Sequence, residues 1–139
     1  MLGLPNTTVA KVLFRAVSWG ALAGVGPVWF FSFPFSLLLP LHYTFFFNVY
    51  LFAISFVLVL AAAIFVLLPY SLLLRRRQAE SKNAYVWFGS LAGILLTVAV
   101  FTLWSFPTGY VLAIPGYFAG SVTSHVWWEG IREQETPHL

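Results

Sequence analysis

Apolar residues run through the chain in long stretches, and short segments rich in charge or proline separate them. A stretch of about 20 apolar residues is long enough to cross the hydrocarbon core of a bilayer as a helix. The pattern therefore predicts an all-α membrane protein in which residues 1–139 form a single transmembrane domain of four helices. The approximate spans are 7–31, 45–74, 84–106 and 108–128.

The first two spans are not expected to form a plain hairpin of straight helices. The segment 31–43, FSFPFSLLLPLHY, carries Pro34 and Pro40, which disfavour a continuous helix and favour an apolar interfacial or re-entrant connection. The uncharged run 44–74 would be roughly 46 Å long as a helix, whereas the hydrocarbon core is about 30 Å thick. We expect this run to tilt, to kink near Pro69 or to protrude from the bilayer.

Turn residues and positive charges define the expected topology. The segment Phe106–Gly109 contains proline and glycine and predicts a tight reversal, so the third and fourth spans should form an antiparallel hairpin. Lys and Arg favour the cytoplasmic side of a membrane, and here they occur before the first span, between the second and third, and after the fourth. Both termini are therefore expected to be cytoplasmic. The residues expected to set the orientation and contact lipid headgroups are Arg75, Arg76, Arg77 and Lys82.

The composition is typical of a protein surrounded by lipid, and it limits the kinds of reaction and ligand that the chain can support. Sixty per cent of the residues are hydrophobic and 8% are charged, whereas soluble domains are roughly a quarter charged. The net charge of +3 comes mostly from one basic segment, which favours a role in orientation and anionic-lipid contact over nucleic-acid binding. The chain has no cysteine, which excludes disulfides and thiolate chemistry. A bacterial inner membrane is the expected location.

Small residues recur at intervals of four in three of the predicted spans. Helices in a bilayer associate through close packing and interhelical hydrogen bonds, and both favour small residues at the contact. We therefore expect a tight bundle, although the pattern does not separate packing within one chain from self-association. The expected packing residues are Gly20, Gly24, Gly89, Gly93, Gly116 and Gly120.

The fourth span also carries a polar stripe, within the segment GYFAGSVTSHVWWEG at 116–130. Tyr117, Ser121, His125 and Glu129 follow one another at i, i+4 spacing and share one side of the helix. We expect this stripe to meet protein, because lipid cannot satisfy polar groups. His125 and Glu129 can touch. They would be either a proton carrier, in which the carboxylate stabilises the imidazolium, or a structural pair at the membrane boundary, and we favour the structural role.

Two other polar residues have alternative roles. Arg15 lies at a depth similar to that of Glu129, so it either pairs with this carboxylate across the first and fourth helices or extends to lipid phosphate. Asn48 is expected to form an interhelical hydrogen bond, with pore lining as the less favoured role. None of the three histidines lies three or four residues from another, so we expect no metal and no cofactor.

These observations favour a protein that is not an enzyme. The carboxylates all fall at or beyond the ends of the predicted spans, and no Ser-His-carboxylate arrangement suited to catalysis is evident. The first hypothesis is a helix-packing accessory or structural subunit of a larger or homo-oligomeric membrane complex. Its partners would be the lipid bilayer and either other membrane subunits or copies of itself. The alternative is a small transporter or channel with a path lined by Ser121, His125, Glu129 and Asn48.

Overall fold

The computed structural model describes residues 6–36, 40–77, 80–103 and 113–135, and nearly all of them are helical. The helices are α1 (Asn6–Ser36), α2 (Leu41–Ala62), α3 (Leu68–Arg76), α4 (Lys82–Leu103) and α5 (Ala113–Glu135), and a π-helical turn at Ala63–Leu67 joins α2 to α3. No strand occurs within these ranges. The predicted all-α fold is confirmed.

Three of the described helical segments are long and apolar enough to cross a membrane, namely Thr7–Phe30, His42–Arg76 and Lys82–Leu103. These three confirm the prediction of a helical protein suited to a membrane. α5 is not among them, because its second half carries hydroxyl groups, His125 and several charged residues. The position of α5 is therefore defined by its packing rather than by its hydropathy.

The helices pack as an open row in the order α2, α1, α5, α4. α5 lies between α1 and α4 and has extensive contacts with both, whereas α2 packs mainly on α1 and only lightly touches α4 and α5. Gly93 of α4 meets Gly116 of α5. The earlier Gly89 meets the later Gly120, so these two helices run antiparallel. The antiparallel pairing predicted for the third and fourth spans is present, while the predicted turn at 106–109 lies outside the described residues.

Charged residues gather at one end of the row. Gly130 of α5 faces the side chain of Val12, near the start of α1. Lys82, at the start of α4, approaches Glu129 to within 3.4 Å. The start of α1, the connection between α3 and α4 and the last turns of α5 therefore lie together. We call this the charged end, and its members are Arg15, Arg75, Glu80, Lys82, Glu129, Arg132 and Glu133.

The buried core lies toward the charged end, where α1, the π-helical turn, α3 and α5 converge. Ala16, Val17 and Ala21 of α1 are completely buried, because small side chains let the neighbouring helices approach α1 closely. Trp127 of α5 is 2% exposed and supplies the largest ring in this core. The core cluster consists of Val12, Ala16, Val17, Ala63, Leu67, Leu74, Tyr85 and Trp127.

α1 continues past its predicted end at 31 to Ser36, with two prolines inside it. The break expected at Pro34 is therefore not found. A proline removes one N–H donor and crowds the carbonyl four residues earlier, and α1 stays helical through Pro27 and Pro34 in spite of both effects. Pro40 stands just before α2 with φ of −56°, a value that suits entry into a helix. The remaining part of the expected connection, 37–39, lies outside the described residues.

The long second span is one continuous helical segment from Leu41 to Arg76, interrupted by the π-helical turn. Pro69 lacks the N–H that would bond to the carbonyl four residues earlier, and its ring crowds that carbonyl. The chain accommodates this with a wider turn, in which the N–H of Leu68 bonds to the carbonyl of Ala63. A π-helical turn therefore stands just before Pro69, while the tilt, kink or protrusion expected of this span stays a prediction.

Candidate functional site

α4 and α5 meet along a seam of glycines at which the two backbones touch. A Cβ atom added to Gly93 would lie 2.9 Å from the carbonyl carbon of Gly116. In the same way, a Cβ atom on Gly120 would lie 2.8 Å from the carbonyl carbon of Gly89. No side chain fits at these distances, so the close approach requires glycine. The structure thus places all four of these predicted packing residues at a helix–helix contact.

α5 packs against α1 along a second seam. A Cβ atom added to Gly20 would lie 3.1 Å from the Cβ of Thr123. Gly24 lies where three helices meet, and an added Cβ atom would lie 3.1 Å from Ala119 of α5 and 3.2 Å from the hydroxyl of Ser55 of α2. Both glycines predicted in the first span are therefore at helix contacts. Their partners Ala119 and Thr123 were not singled out by sequence, although they are four residues apart like the predicted stripes.

The polar stripe of α5 lies on the side opposite these two seams. Tyr117 is 43% exposed, Ser121 is partly exposed, and Glu129 is exposed. The expectation that the stripe meets the bundle interior is therefore wrong. The hydroxyl of Ser121 donates to the carbonyl of Phe118 in its own helix at 3.1 Å, so it needs no partner from a neighbouring helix.

The imidazole of His125 and the carboxylate of Glu129 do touch, where the stripe reaches the charged end. His125 Nε2 lies 3.1 Å from Glu129 Oε1, and the two side chains are 39% and 50% exposed. The Nζ of Lys82 lies 3.4 Å from the same oxygen, so the carboxylate bridges α4 and α5. The three side chains thus link the start of α4 to α5.

Arg15 pairs with an acid of α5, but one helical turn beyond the acid considered in the sequence. Its Nη1 lies 3.6 Å from Oε2 of Glu133, with both side chains about three-fifths exposed. Of the two roles considered for Arg15, the pairing with Glu129 is not found, because that carboxylate contacts Lys82 of α4 and His125 instead. Exposed pairs of this kind contribute about 0–1 kcal/mol to stability.

A more buried polar cluster, formed by Arg75, Glu80 and Tyr85, lies at the connection between α3 and α4. Oε1 of Glu80 accepts hydrogen bonds from Arg75 Nε at 3.0 Å and from the Tyr85 hydroxyl at 3.1 Å. The side chains of Arg75 and Glu80 are 16% and 21% exposed, and Tyr85 is 1% exposed. The sequence assigned Arg75 only to orientation and missed the other two residues. The available signal was that Glu80 is the one acid within the basic segment 75–82.

Aromatic rings pack around this polar cluster and join three helices. The Tyr85 ring lies 5.3 Å from the ring of Trp128 in α5, and the Arg132 guanidinium lies 4.5 Å over the same tryptophan. Tyr70 of α3 stacks on Phe88 of α4 with 3.5 Å between ring centroids and 8° between planes. Ring pairs and cation–π contacts each add roughly 0.5–1.5 kcal/mol beyond simple burial, so the charged end is held by aromatic packing as well as by charge.

Asn48 lies on a different helix from the pair of His125 and Glu129, whereas Ser121 lies one helical turn before His125 on the same stripe. Asn48 Nδ2 donates to the carbonyl of Thr44 in its own helix at 2.7 Å, and its Oδ1 is buried without a hydrogen-bond partner among the described residues. In the parts of the chain that the structure describes, no hydrogen bond links Asn48 or Ser121 to that pair. The four residues of the alternative path are therefore not brought together. Arg76 and Arg77 are exposed at the end of α3, in a position to contact lipid headgroups.

A narrow apolar crevice opens between α2 and α4, on the side where the row of helices is not closed. Its volume is about 230 Å³. One wall comes from α2 and the π-helical turn, the other from α4, and α5 forms the floor. We call this the α2–α4 crevice, and representative residues of its lining are Ala62, Val66, Ala92, Leu96 and Gly120. No sequence pattern predicted this crevice, because it depends on the distance between α2 and α4.

No family model, curated protein or solved structure matches this chain. Within the described ranges, no three His, Asp or Glu side chains lie close enough together to hold a metal ion. The fold itself defines the class: an all-helical protein with three helices long and apolar enough to cross a membrane. Its distinctive features are the two glycine seams, the charged end and the α2–α4 crevice.

Proposed function

We propose that this chain is a non-enzymatic integral membrane protein that serves as a helix-packing accessory or structural subunit of a larger or homo-oligomeric membrane complex. The proposal includes four spans, with α5 as the fourth, and cytoplasmic termini in a bacterial inner membrane. Support for this orientation comes from the charged end, which collects Lys and Arg residues from three parts of the chain, since these residues favour the cytoplasmic side.

An exposed aromatic face on the first half of α2 carries the proposal. Tyr43, Phe46 and Tyr50 follow one another at helical spacing and are 62%, 68% and 65% exposed. With Phe47 and Ala53 they border a shallow depression on the surface of α2. Aromatic residues are enriched at protein–protein contacts, because a ring buries a large area and the tyrosine hydroxyl can find a partner there. This face suits a membrane helix of another subunit or of a second copy.

A comparably exposed stripe on α4 provides the matched control. Trp87, Leu91 and Leu95 are spaced by four residues and are 70%, 54% and 67% exposed. This stripe is equally able to contact lipid, but its side chains are mostly aliphatic. It also lies on a helix that is already packed against α5 along the glycine seam. If exposure alone governed association, the two stripes would behave alike.

The experiment is mass measurement of the assembly after gentle detergent extraction. We expect the wild-type chain to migrate with co-purifying subunits or as a homo-oligomer. The triple variant Tyr43→Ala, Phe46→Ala, Tyr50→Ala should release a monomer, whereas Trp87→Ala, Leu91→Ala, Leu95→Ala should leave the assembly intact. A monomeric wild-type chain, or equal dissociation by both triple variants, would contradict the proposal. Unchanged helix content by circular dichroism would show that the variants remain folded.

The alternative is a small transporter or channel, and the contact between His125 and Glu129 is the observation in its favour. The His125 imidazole lies 3.1 Å from the Glu129 carboxylate, and histidine and acidic residues recur in the proton paths of transporters. Ser121 and Asn48 each donate to a carbonyl of their own helix, which weighs against a shared path. Flux into proteoliposomes that disappears in His125→Ala, with helix content and assembly mass unchanged, would favour transport over the structural role.

A further inference from the structure

We infer that the α2–α4 crevice binds one acyl chain of a membrane phospholipid. The crevice lies among the apolar middle parts of the helices, from Leu58 to Leu67 on one wall and from Phe88 to Val100 on the other. At 1.5 Å per residue these walls are about 14 Å and 18 Å long, so the crevice is elongated along the helix axes. This inference is independent of the proposed role as a subunit.

The volume of the crevice selects a slender occupant. An engineered apolar cavity of about 150 Å³ binds benzene, so about 230 Å³ accommodates a somewhat larger hydrocarbon. A helix with its side chains is about 10 Å across. A linear hydrocarbon chain is much thinner and therefore fits the crevice better than a partner helix does.

The chemistry of the walls selects an apolar occupant. Alanine, glycine, leucine, valine and phenylalanine make up most of the lining. Of the three hydroxyl residues in the lining, Thr97 donates to the carbonyl of Gly93 and Thr123 to that of Ala119, both at 2.7 Å, and Ser124 is 1% exposed. Water would need two to four polar partners, which this surface does not offer.

The arrangement of the helices gives lipid access to the crevice. α2 and α4 are the two ends of the open row and barely touch, so the space between them opens sideways toward the surrounding chains of the bilayer. Toward the charged end, Phe88 of the lining is covered by its stack with Tyr70. A phospholipid can therefore insert one chain from the side without moving its headgroup out of the interface.

The π-helical turn is a second, independent observation at the same place. Four of its five residues line the crevice: Ala63, Phe65, Val66 and Leu67. A π-helical turn is less favourable than regular α-helix and recurs in proteins at functional positions. Here the widened turn shapes the wall of the crevice directly opposite the glycine seam of α4 and α5.

Photochemical mapping in vesicles tests the inference. The full chain is reconstituted in phosphatidylcholine that includes a phosphatidylcholine with a diazirine in one acyl chain, and adducts are located by mass spectrometry after irradiation. We expect adducts on the crevice lining, around Ala62 and Leu96, in excess of those on Leu95 and Leu103, which are exposed outside it at 67% and 85%. Equal labelling of the two sets would overturn the inference.

A filling variant and its matched control complete the test. Ala92→Phe should abolish the crevice adducts, because the ring occupies the space, and Leu95→Phe on the outer side of the same helix should not. Ala62→Phe fills the crevice from the opposite wall, and it replaces Ala92→Phe in this test if Ala92→Phe lowers helix content. Persistence of the adducts in both filling variants would sink the inference.

The same reconstitution distinguishes other occupants. Labelling by a diazirine fatty acid but not by the phospholipid would replace the phospholipid with a free fatty acid. A change in assembly mass in Ala92→Phe would identify the crevice as a helix-binding surface instead. Because the aromatic face of α2 is unchanged in Ala92→Phe, failure here leaves the proposed subunit role to be judged by its own experiment.

Discussion

At the scale of single residues, the degree of burial distinguishes two ion pairs that are formed by the same residue types. Arg15 with Glu133 and Arg75 with Glu80 are both ion pairs, but the first is largely exposed and the second is mostly enclosed. Solvent screens the first pair, so removing it should cost little. In the second pair, the Glu80 oxygen that contacts Arg75 also accepts a hydrogen bond from the hydroxyl of Tyr85. This shared oxygen links the end of α3 to the start of α4.

Tyr85→Phe should therefore lower the free energy of unfolding by about 1–2 kcal/mol, because it deletes a hydrogen bond to a carboxylate while keeping the ring packed. Unfolding in mixed micelles of increasing dodecyl sulfate content would measure this. Tyr50→Phe, at an exposed tyrosine of α2, is the matched control and should change stability by less than about 0.5 kcal/mol. Equal effects of the two substitutions would show that the hydroxyl of Tyr85 contributes nothing specific.

At the scale of helices, the atom that faces a glycine determines how much stability is lost when a methyl group is added there. A Cβ on Gly93 meets the backbone of Gly116, which cannot move without displacing all of α5. A Cβ on Gly130 meets the end of the Val12 side chain, which can shift. Identical substitutions on the two seams therefore have different consequences.

Gly93→Ala should destabilise the bundle by about 1–3 kcal/mol, the usual cost of overpacking. Gly130→Ala should cost less than about 1 kcal/mol, because the gain in helix propensity offsets the adjustment of Val12. Both are measured by the same micellar unfolding. A larger loss in Gly130→Ala than in Gly93→Ala would mean that the α4–α5 seam is looser than its geometry implies.

Sequence patterns predicted the helices and the packing glycines because both follow from local properties. An apolar run predicts a helix whatever its neighbours are, and small residues four apart form a surface that another backbone can approach. The sequence could not tell which of the stripes of α5 faces inward, so the stripe containing His125 was placed in the interior and is found outside. Likewise, the partner of Arg15 depends on which acids of α5 other side chains already contact, and that is set by the packing of the helices.

At the scale of the whole molecule, the charged end and the opposite end should lie on different sides of the membrane. The chain has no cysteine, so single cysteines report topology without background. Asn83→Cys lies beside the charged end and His42→Cys at the start of α2, and both positions are exposed. With cytoplasmic termini, a membrane-impermeant maleimide should label His42→Cys in intact cells and Asn83→Cys only after lysis. The reverse pattern would invert the proposed orientation.

The placement of α5 between α1 and α4 also sets an order of events during biosynthesis. α1 leaves the ribosome long before its neighbour α5, and at 5–20 residues per second the interval between the end of α1 and the start of α5 is about 4–15 s. Throughout that time α5 is not yet present to cover Gly20 and Gly24, which therefore contact the membrane or the insertion machinery. Of the helices described here, the last to be translated is thus the one that joins α4 to α1.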